Sequence, residues 1–341
     1  MTAIKAHPVN IRHNVANDTG GSAVGKLARQ AIVADIGDTH TRLAVTDYDR
    51  LSIDHYVQFE NNAFSCVTDA VAAYIRSTPV ASSAIGVAVI NGGPVSDQDR
   101  LQHDLAKQLD WGPSPVPVLK VEALDALALA LPYLTSHDTK VISGQKVEAK
   151  WPKAIISIGQ ALGVTSLTPV DGTWSAHRTH AGSISFAPQT RWEFEILERI
   201  RCDTDYVSVE NLLSDAGLCH LYELLLESAG QAVRGLSASD IIDAALNGSD
   251  AVAAKAADSF ATWLARFAGD IALLYDARGG IYLWGPIPRR MERRLKAELF
   301  RAAFEAKGRR SSWLAQIPIL LIRSDDAVLK GAAVALARHL G

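Results

Sequence analysis

Fifteen residues, Ala31-Ile-Val-Ala-Asp35-Ile-Gly37-Asp38-Thr39-His40-Thr41-Arg42-Leu-Ala-Val45, restrict what this chain can become more than any other stretch. Two apolar runs rich in Ile and Val flank a short polar turn, the pattern of a β-hairpin. The Asp-x-Gly-x-Thr turn puts a glycine where a backbone conformation that a Cβ resists is expected. Converging amides and a hydroxyl at such a turn form an anion site, and a nearby carboxylate can hold the Mg²⁺ that accompanies a phosphate. An ordinary hairpin has the same apolar frame, so the fragment alone leaves both readings open.

The frame returns once. Residues 154–158 form an apolar run into Gly159-Gln160-Ala161-Leu162-Gly163, and residues 164–167 complete a second strand, glycine turn and strand. Two glycine hairpins facing each other from separate domains would clamp a polyphosphate; two unrelated hairpins are the alternative. Around them, strands are expected at 52–59, 84–90, 116–121, 281–284 and 317–322. Helices are expected at 64–76, 122–131 (stopped by Pro132), 191–201, 209–218, 221–229, 241–246, 251–275, 291–307 and 329–340. Ser237 reads as an N-cap. Strands alternating with helices imply an α/β layer architecture. Asn91-Gly92-Gly93-Pro94 and Gly285-Pro286 each follow a strand end, where a ligand has access. Residues 137–153 read as polar and turn-rich, and residues 1–30, without periodicity, as a mobile extension.

Composition narrows the function classes. With 341 residues the chain suffices for two domains, and 48% hydrophobic with 21% charged residues is a globular balance. A net charge of −3 offers no basic surplus for nucleic acid. No run approaches the roughly 20 apolar residues of a membrane span, and no secretory signal is visible, so a cytoplasmic location is expected. Cys66, Cys202 and Cys219 share no metal spacing and read as small core thiols. His177 and His180 stand three apart without a carboxylate or cysteine at ligand spacing, which argues against a metal there.

Asp35–Ala44 at the first turn, Phe186-Ala-Pro188, Tyr206-Val-Ser-Val-Glu210-Asn-Leu-Leu-Ser and Phe300-Arg-Ala-Ala-Phe-Glu-Ala-Lys-Gly-Arg309 together resemble the bacterial glucokinase family, a branch of the hexokinase/actin-like ATPase superfamily. The resemblance covers about residues 31 to 341. It implies an α/β, two-domain actin-like ATPase (ribonuclease H-like) fold with a cleft between a small and a large domain. The expected division is a 1–30 extension, a small domain of 31–133 plus 324–341, and a large domain of 134–323. It further implies ATP with Mg²⁺, transfer of the γ-phosphoryl to the 6-hydroxyl of glucose, an Asp base, and a homodimer. Nucleotide or phosphate residues carried over are Asp35 (also toward Mg²⁺), Gly37, Asp38, Thr39, Arg42, Gly159, Gly163 and Gly285.

Departures from the family pattern concentrate where chemistry is expected. The family's Asn-Asp-Phe before an Ala-rich helix corresponds to Glu122-Ala123-Leu124, which puts a methyl group at the base position. The family's Glu-Gly-Gly-His before Phe-Ala-Pro corresponds to His180-Ala181-Gly182-Ser183, and the Thr-Asn loop falls near Arg100-Leu101-Gln102. Glu210 is the one mapped sugar ligand that remains, with Glu122, His180 and Ser183 as further sugar-side candidates. Asp38 stands where the family has glycine and would repel a phosphate; His40 replaces an Asn; Ala161 is expected to resist positive φ; Pro286 removes an amide. Asp125 is turned about 200° from Ala123 on a helix. The expected protein is glucokinase-like with weak or absent glucose phosphorylation. The alternatives are a kinase for another sugar or polyol using Glu122 or His180 as base, and a non-catalytic sugar-sensing or regulatory subunit.

Overall fold

The computed structural model describes residues 11–12, 30–37, 40–47, 50–64, 67–78, 86–91, 117–145, 150–201, 205–296 and 298–340. Asp38, Thr39, Cys66, Cys202, the 92–94 loop and residues 100–102 lie outside them. The chain divides into two compact units, Met1–Tyr133 with Asp325–Gly341, and Leu134–Ser324.

The first unit is built on a six-stranded sheet in the order β1-β4-β3-β2-β5-β6. Its strands are β1 (Ile11–Arg12), β2 (Gln30–Ile36), β3 (His40–Asp47), β4 (Asp54–Glu60), β5 (Val87–Asn91) and β6 (Val118–Glu122). β2, β3 and β4 are antiparallel neighbours, whereas β2, β5 and β6 run parallel. β2 reads as four consecutive apolar residues, Ala31–Ala34, because both of its faces are covered. α1 (Val67–Ser77) supplies Val71 and Tyr74 to the core. α2 (Ala123–Ala130) crosses the closing helix, Ala327–Leu340, backbone against backbone: a Cβ on Gly331 would lie 1.6 Å from the Ala126 carbonyl oxygen. Alanine-rich sequence on one side and a glycine on the other make that approach possible.

The second unit repeats the plan. Its sheet runs β10-β9-β8-β11-β12-β7, from β7 (Thr139–Ser143), β8 (Lys153–Ile158), β9 (Leu162–Val170), β10 (Thr173–Thr179), β11 (Ile281–Trp284) and β12 (Ile319–Ile322). β10, β9 and β8 are antiparallel, and β8, β11 and β12 parallel. Three antiparallel strands followed by two parallel ones is thus the order in both sheets, which extends the sequence echo from one turn to five strands. Its helices are α3 (Arg191–Ile200), α4 (Asp215–Ser228), α5 (Ala238–Asn247), α6 (Ala251–Leu274), α7 (Pro286–Arg290), α8 (Glu292–Leu295), α9 (Glu298–Glu305) and α10 (Ser311–Leu314); the closing helix, Ala327–Leu340, is α11 and belongs to the first unit. α6 is the spine of this core, burying Phe260, Leu264, Phe267 and Ile271. Ser237 caps α5 in a reciprocal capping box with Asp240.

Several expectations are corrected. Residues 137–153 contain β7, an edge strand whose Thr-Lys-Val-Ile-Ser sequence lacks the alternation that marks a strand. Residues 173–179 form β10, so His177 is a strand residue opposite Ser166. Residues 209–213 are a turn and not a helix; one helix, α4, replaces the two expected at 209–218 and 221–229, and Ser214 is its cap. The single helix expected at 291–307 is the broken run α8 and α9. Ile11 and Arg12, within the expected mobile extension, pair with Val57 and Tyr56. Cys219 is partly buried and packs against the core, as the reading of it as a core thiol required.

Candidate functional site

In the first unit the candidates gather at the carboxyl ends of the parallel strands, where α/β sheets present ligand sites. Register aligns Ile36 with Asn91 and Asn91 with Glu122. The first turn and the start of α2 therefore leave the same edge. Asp35 and Arg42 face each other across β2 and β3, and the Arg42 Nη1 donates to Asp35 Oδ2 at 3.2 Å. Burial raises the Asp35 pKa, and the Arg42 charge only partly offsets it. The Gly37 amide donates to the His40 carbonyl at 3.0 Å, closing the turn. Gly37 does not adopt positive φ, contrary to the expectation from its sequence context; an added Cβ would meet the His40 oxygen at 3.3 Å.

Asn61, which the sequence did not single out, locks this turn from outside. Its Nδ2 donates to the Gly37 carbonyl at 2.8 Å, and its Oδ1 accepts from Thr41 Oγ1 at 2.8 Å. Glu122 ends β6 and is the N-cap of α2 with extended backbone, but its side chain makes no cap hydrogen bond. Ala123 is the first helical residue, and Asp125 lies in the same first turn. The expected base position thus opens a helix with a methyl group.

In the second unit the turn between β8 and β9 is Gly159-Gln160-Ala161, closed by Gly159 N–H to the Ala161 carbonyl at 3.2 Å. Gly163 belongs to β9, opposite Ser157. Neither Gly159, Ala161 nor Gly163 has positive φ, so the expected resistance at Ala161 does not arise. The strict glycine is Gly285, with φ +114: a Cβ there would sit 2.1 Å from the Ile158 oxygen. Pro286 follows as the first residue of α7, where a missing N–H costs no intrahelical bond, and its Cδ faces the Gly159 position. The Asp215 amide donates to the Gly159 carbonyl at 2.8 Å, which ties the start of α4 to the turn. Burial raises the Asp215 pKa. Asp215 was not foreseen, because the helix start was misplaced.

His180 is exposed and caps the 3₁₀ turn Ala181–Ser183. Gly182 fits between two groups: a Cβ would lie 2.4 Å from the Leu162 oxygen and 3.3 Å from Glu210 Oε2. The Glu210 amide donates to the Gly182 carbonyl at 2.9 Å, Val209 N–H to Ile184 O at 2.9 Å, and Phe186 N–H to Val207 O at 3.0 Å. Tyr206 Oη donates to the Ser183 carbonyl at 2.6 Å. Residues 182–186 and 206–210 are therefore zipped together, holding Glu210 beside His180–Ser183 and next to the strand that follows the glycine turn. Phe186 packs edge-on against Trp263 at 5.2 Å.

The decapeptide from Phe300 to Arg309 serves the framework. Arg301 donates to the carbonyls of Leu314 (3.0 Å), Ala315 (2.7 Å) and Ile317 (2.8 Å), and Lys307 pairs with Asp270. Gly269 admits the α9 backbone, the Phe304 oxygen lying 2.6 Å from where its Cβ would be.

Comparison with known proteins agrees with this architecture. The Glucokinase family model matches residues 32–339. The glucokinase of Nitrobacter hamburgensis is 33% identical over 309 residues, covering 89% of this chain and 95% of that protein. The crystal structure of a glucokinase from an Antarctic psychrotroph has a TM-score of 0.80 and 26% identity, over 91% of this chain and 99% of that one. A ROK family glucokinase from Streptomyces griseus, solved in complex with glucose and AMPPNP, has a TM-score of 0.58 at 18% identity over 91% of this chain and 99% of that one, a likeness of fold alone. With a family match spanning the described sheets and a sheet plan used twice, the chain belongs to the glucokinase family and has its two-domain actin-like ATPase fold.

Proposed function

We propose that this chain is a glucokinase-family protein that retains nucleotide and sugar-side framework but phosphorylates glucose weakly or not at all. The observation that carries this is Ala123 as the first residue of α2. A methyl group accepts no proton, and general-base catalysis contributes about 10²–10⁴-fold. On the sugar side Glu210 is the candidate ligand, with His180 and Ser183 beside it. On the phosphate side the candidates are Asp35, Gly37, Arg42, Gly159, Gly163 and Gly285, together with Asp38 and Thr39. A nucleotide-bound Mg²⁺ needs few protein carboxylates; Asp35, at a strand end, fits that need and would orient the metal that shields phosphoryl charge.

The test is ADP release from Mg-ATP with glucose on purified protein. Turnover at least 10²-fold below the ordinary 1–10³ s⁻¹ is expected, and turnover within that range would overturn the reading. Glu122 supports a second reading, transfer to another sugar or polyol, because it is a carboxylate residue directly before Ala123, at the end of β6. That reading requires an acceptor that yields ADP, with the yield abolished by Glu122→Gln.

A further inference from the structure

The helix that follows the Gly285 turn also holds the segment by which the chain leaves the second unit. Arg289, one turn into α7, donates from Nη2 to the carbonyls of Arg323 at 2.9 Å and Ser324 at 3.1 Å, and from Nε to that of Ile322 at 3.4 Å. The Arg323 and Ser324 amides donate to the Asp138 carbonyl at 2.8 and 3.2 Å. The Asp138 carboxylate accepts from the amide and hydroxyl of Thr135, both at 2.9 Å. The unit begins at Leu134 and ends at Ser324, so both ends of its chain are gathered in this one cluster. Glu292, just beyond α7, is bound by Lys140, by Lys296 and by the Arg323 guanidinium.

The other end of α7 is fixed. Gly285 packs against the Ile158 carbonyl with no room for a side chain, and Pro286 packs against Gly159. A ligand that shifts the Gly285 turn would carry the five-residue α7 with it and so load the Arg289 contacts at its other end. One planar guanidinium spans three successive carbonyls through a rigid fork, which a lysine ammonium cannot reproduce.

We propose that Arg289 is a positioning residue that couples occupancy of the Gly285 turn to the stiffness of the exit segment at residues 322–325. This coupling rests on the nucleotide reading of that turn.

The test is hydrogen exchange on the full-length chain and its Arg289→Ala and Arg289→Lys variants, with and without Mg-AMPPNP, binding of the nucleotide being measured separately by calorimetry. Without nucleotide, exchange of the Arg323 and Ser324 amides is expected to rise at least tenfold in both variants, while β8 and β11 stay protected. With Mg-AMPPNP bound, wild type is expected to show a several-fold change at 320–326 that Arg289→Ala lacks although it still binds. Unchanged exchange at 323–324 in the apo variants overturns the proposal, as does a nucleotide response of equal size in wild type and Arg289→Ala. Calorimetry that detects no binding to wild type counts against the nucleotide reading and removes the coupling, leaving the apo arm to judge the clasp. Retained β8 and β11 protection distinguishes loss of the clasp from loss of folding.

Discussion

The proposed loss of activity turns on one methyl group, that of Ala123. Because residue 123 opens α2, an aspartate placed there would meet the positive end of the helix and be held ionised. Ala123→Asp is therefore expected to raise glucose-dependent ADP release by about 10²-fold, measured by a coupled assay; no gain would mean that the sugar side has been lost as well. Lys153 is a residue-scale prediction of another kind. It is 3% exposed, burial pulls its pKa down to about 8, its Nζ donates to the Trp151 carbonyl at 3.1 Å, and it sits 4.1 Å over Trp174. The unfolded chain binds this proton up to about pH 10.5, so the cost of burying the charge is full below pH 8 and fades as pH rises from 8 to 10.5. Lys153→Met is expected to stabilise the protein by about 1–2 kcal/mol at pH 7, the Trp174 contact and the hydrogen bond reducing the gain. Denaturant unfolding should show that difference vanish near pH 10.5.

Elements divide by how their sequence was written. Strands β2 and β8 were legible because burial on both faces leaves an unbroken apolar centre, Ala31–Ala34 in one and Ala154–Ile156 in the other. β7 and β10 were not, since an edge strand rich in Thr, Ser, Lys and His looks like a loop until its partner is known. Among the candidate site residues, Asp35, Arg42 and Glu210 were carried over by resemblance, and Glu122 was named for its place beside Ala123. Asn61 and Asp215 could not be read, because each acts by hydrogen bonding on a turn distant in sequence. The glycines were misjudged in a consistent way. Gly37 looked conformationally special and is not, whereas Gly182 and Gly285 are needed because another backbone lies against them, Gly285 at positive φ as well. Glu292 supplies a test at this scale. Burial raises its pKa, but hydrogen bonds from Lys140, Arg323 and Lys296 outweigh that and hold it at about 2. Its contribution is present above the unfolded value near 4.5 and is lost as pH falls toward 2. Glu292→Gln is expected to cost about 2 kcal/mol at pH 6 and little at pH 2, read from urea midpoints.

For the whole molecule, each unit has its own apolar core. Damage to one core should therefore be felt first in that unit. Gly331→Ala would drive a methyl group into the Ala126 carbonyl and is expected to cost roughly 3 kcal/mol or more. Hydrogen exchange should show β2 and β5 losing protection while β8 and β11 keep theirs; equal loss in both sheets would mean that the units unfold together. No helix among the described residues is long and apolar enough to cross a membrane. The two-unit plan was legible because the strand, glycine turn and strand pattern occurs twice, but the depth of the repetition, five strands in matching order, needed hydrogen-bond partners that sequence does not state. The aligned strand ends at Ile36, Asn91 and Glu122 have a further consequence. That edge is drawn by main-chain pairing, so exchanging a side chain on it leaves the platform standing. A residue such as Ala123 can therefore be exchanged without rebuilding the fold, and chemistry on such a platform is free to be lost and regained one side chain at a time.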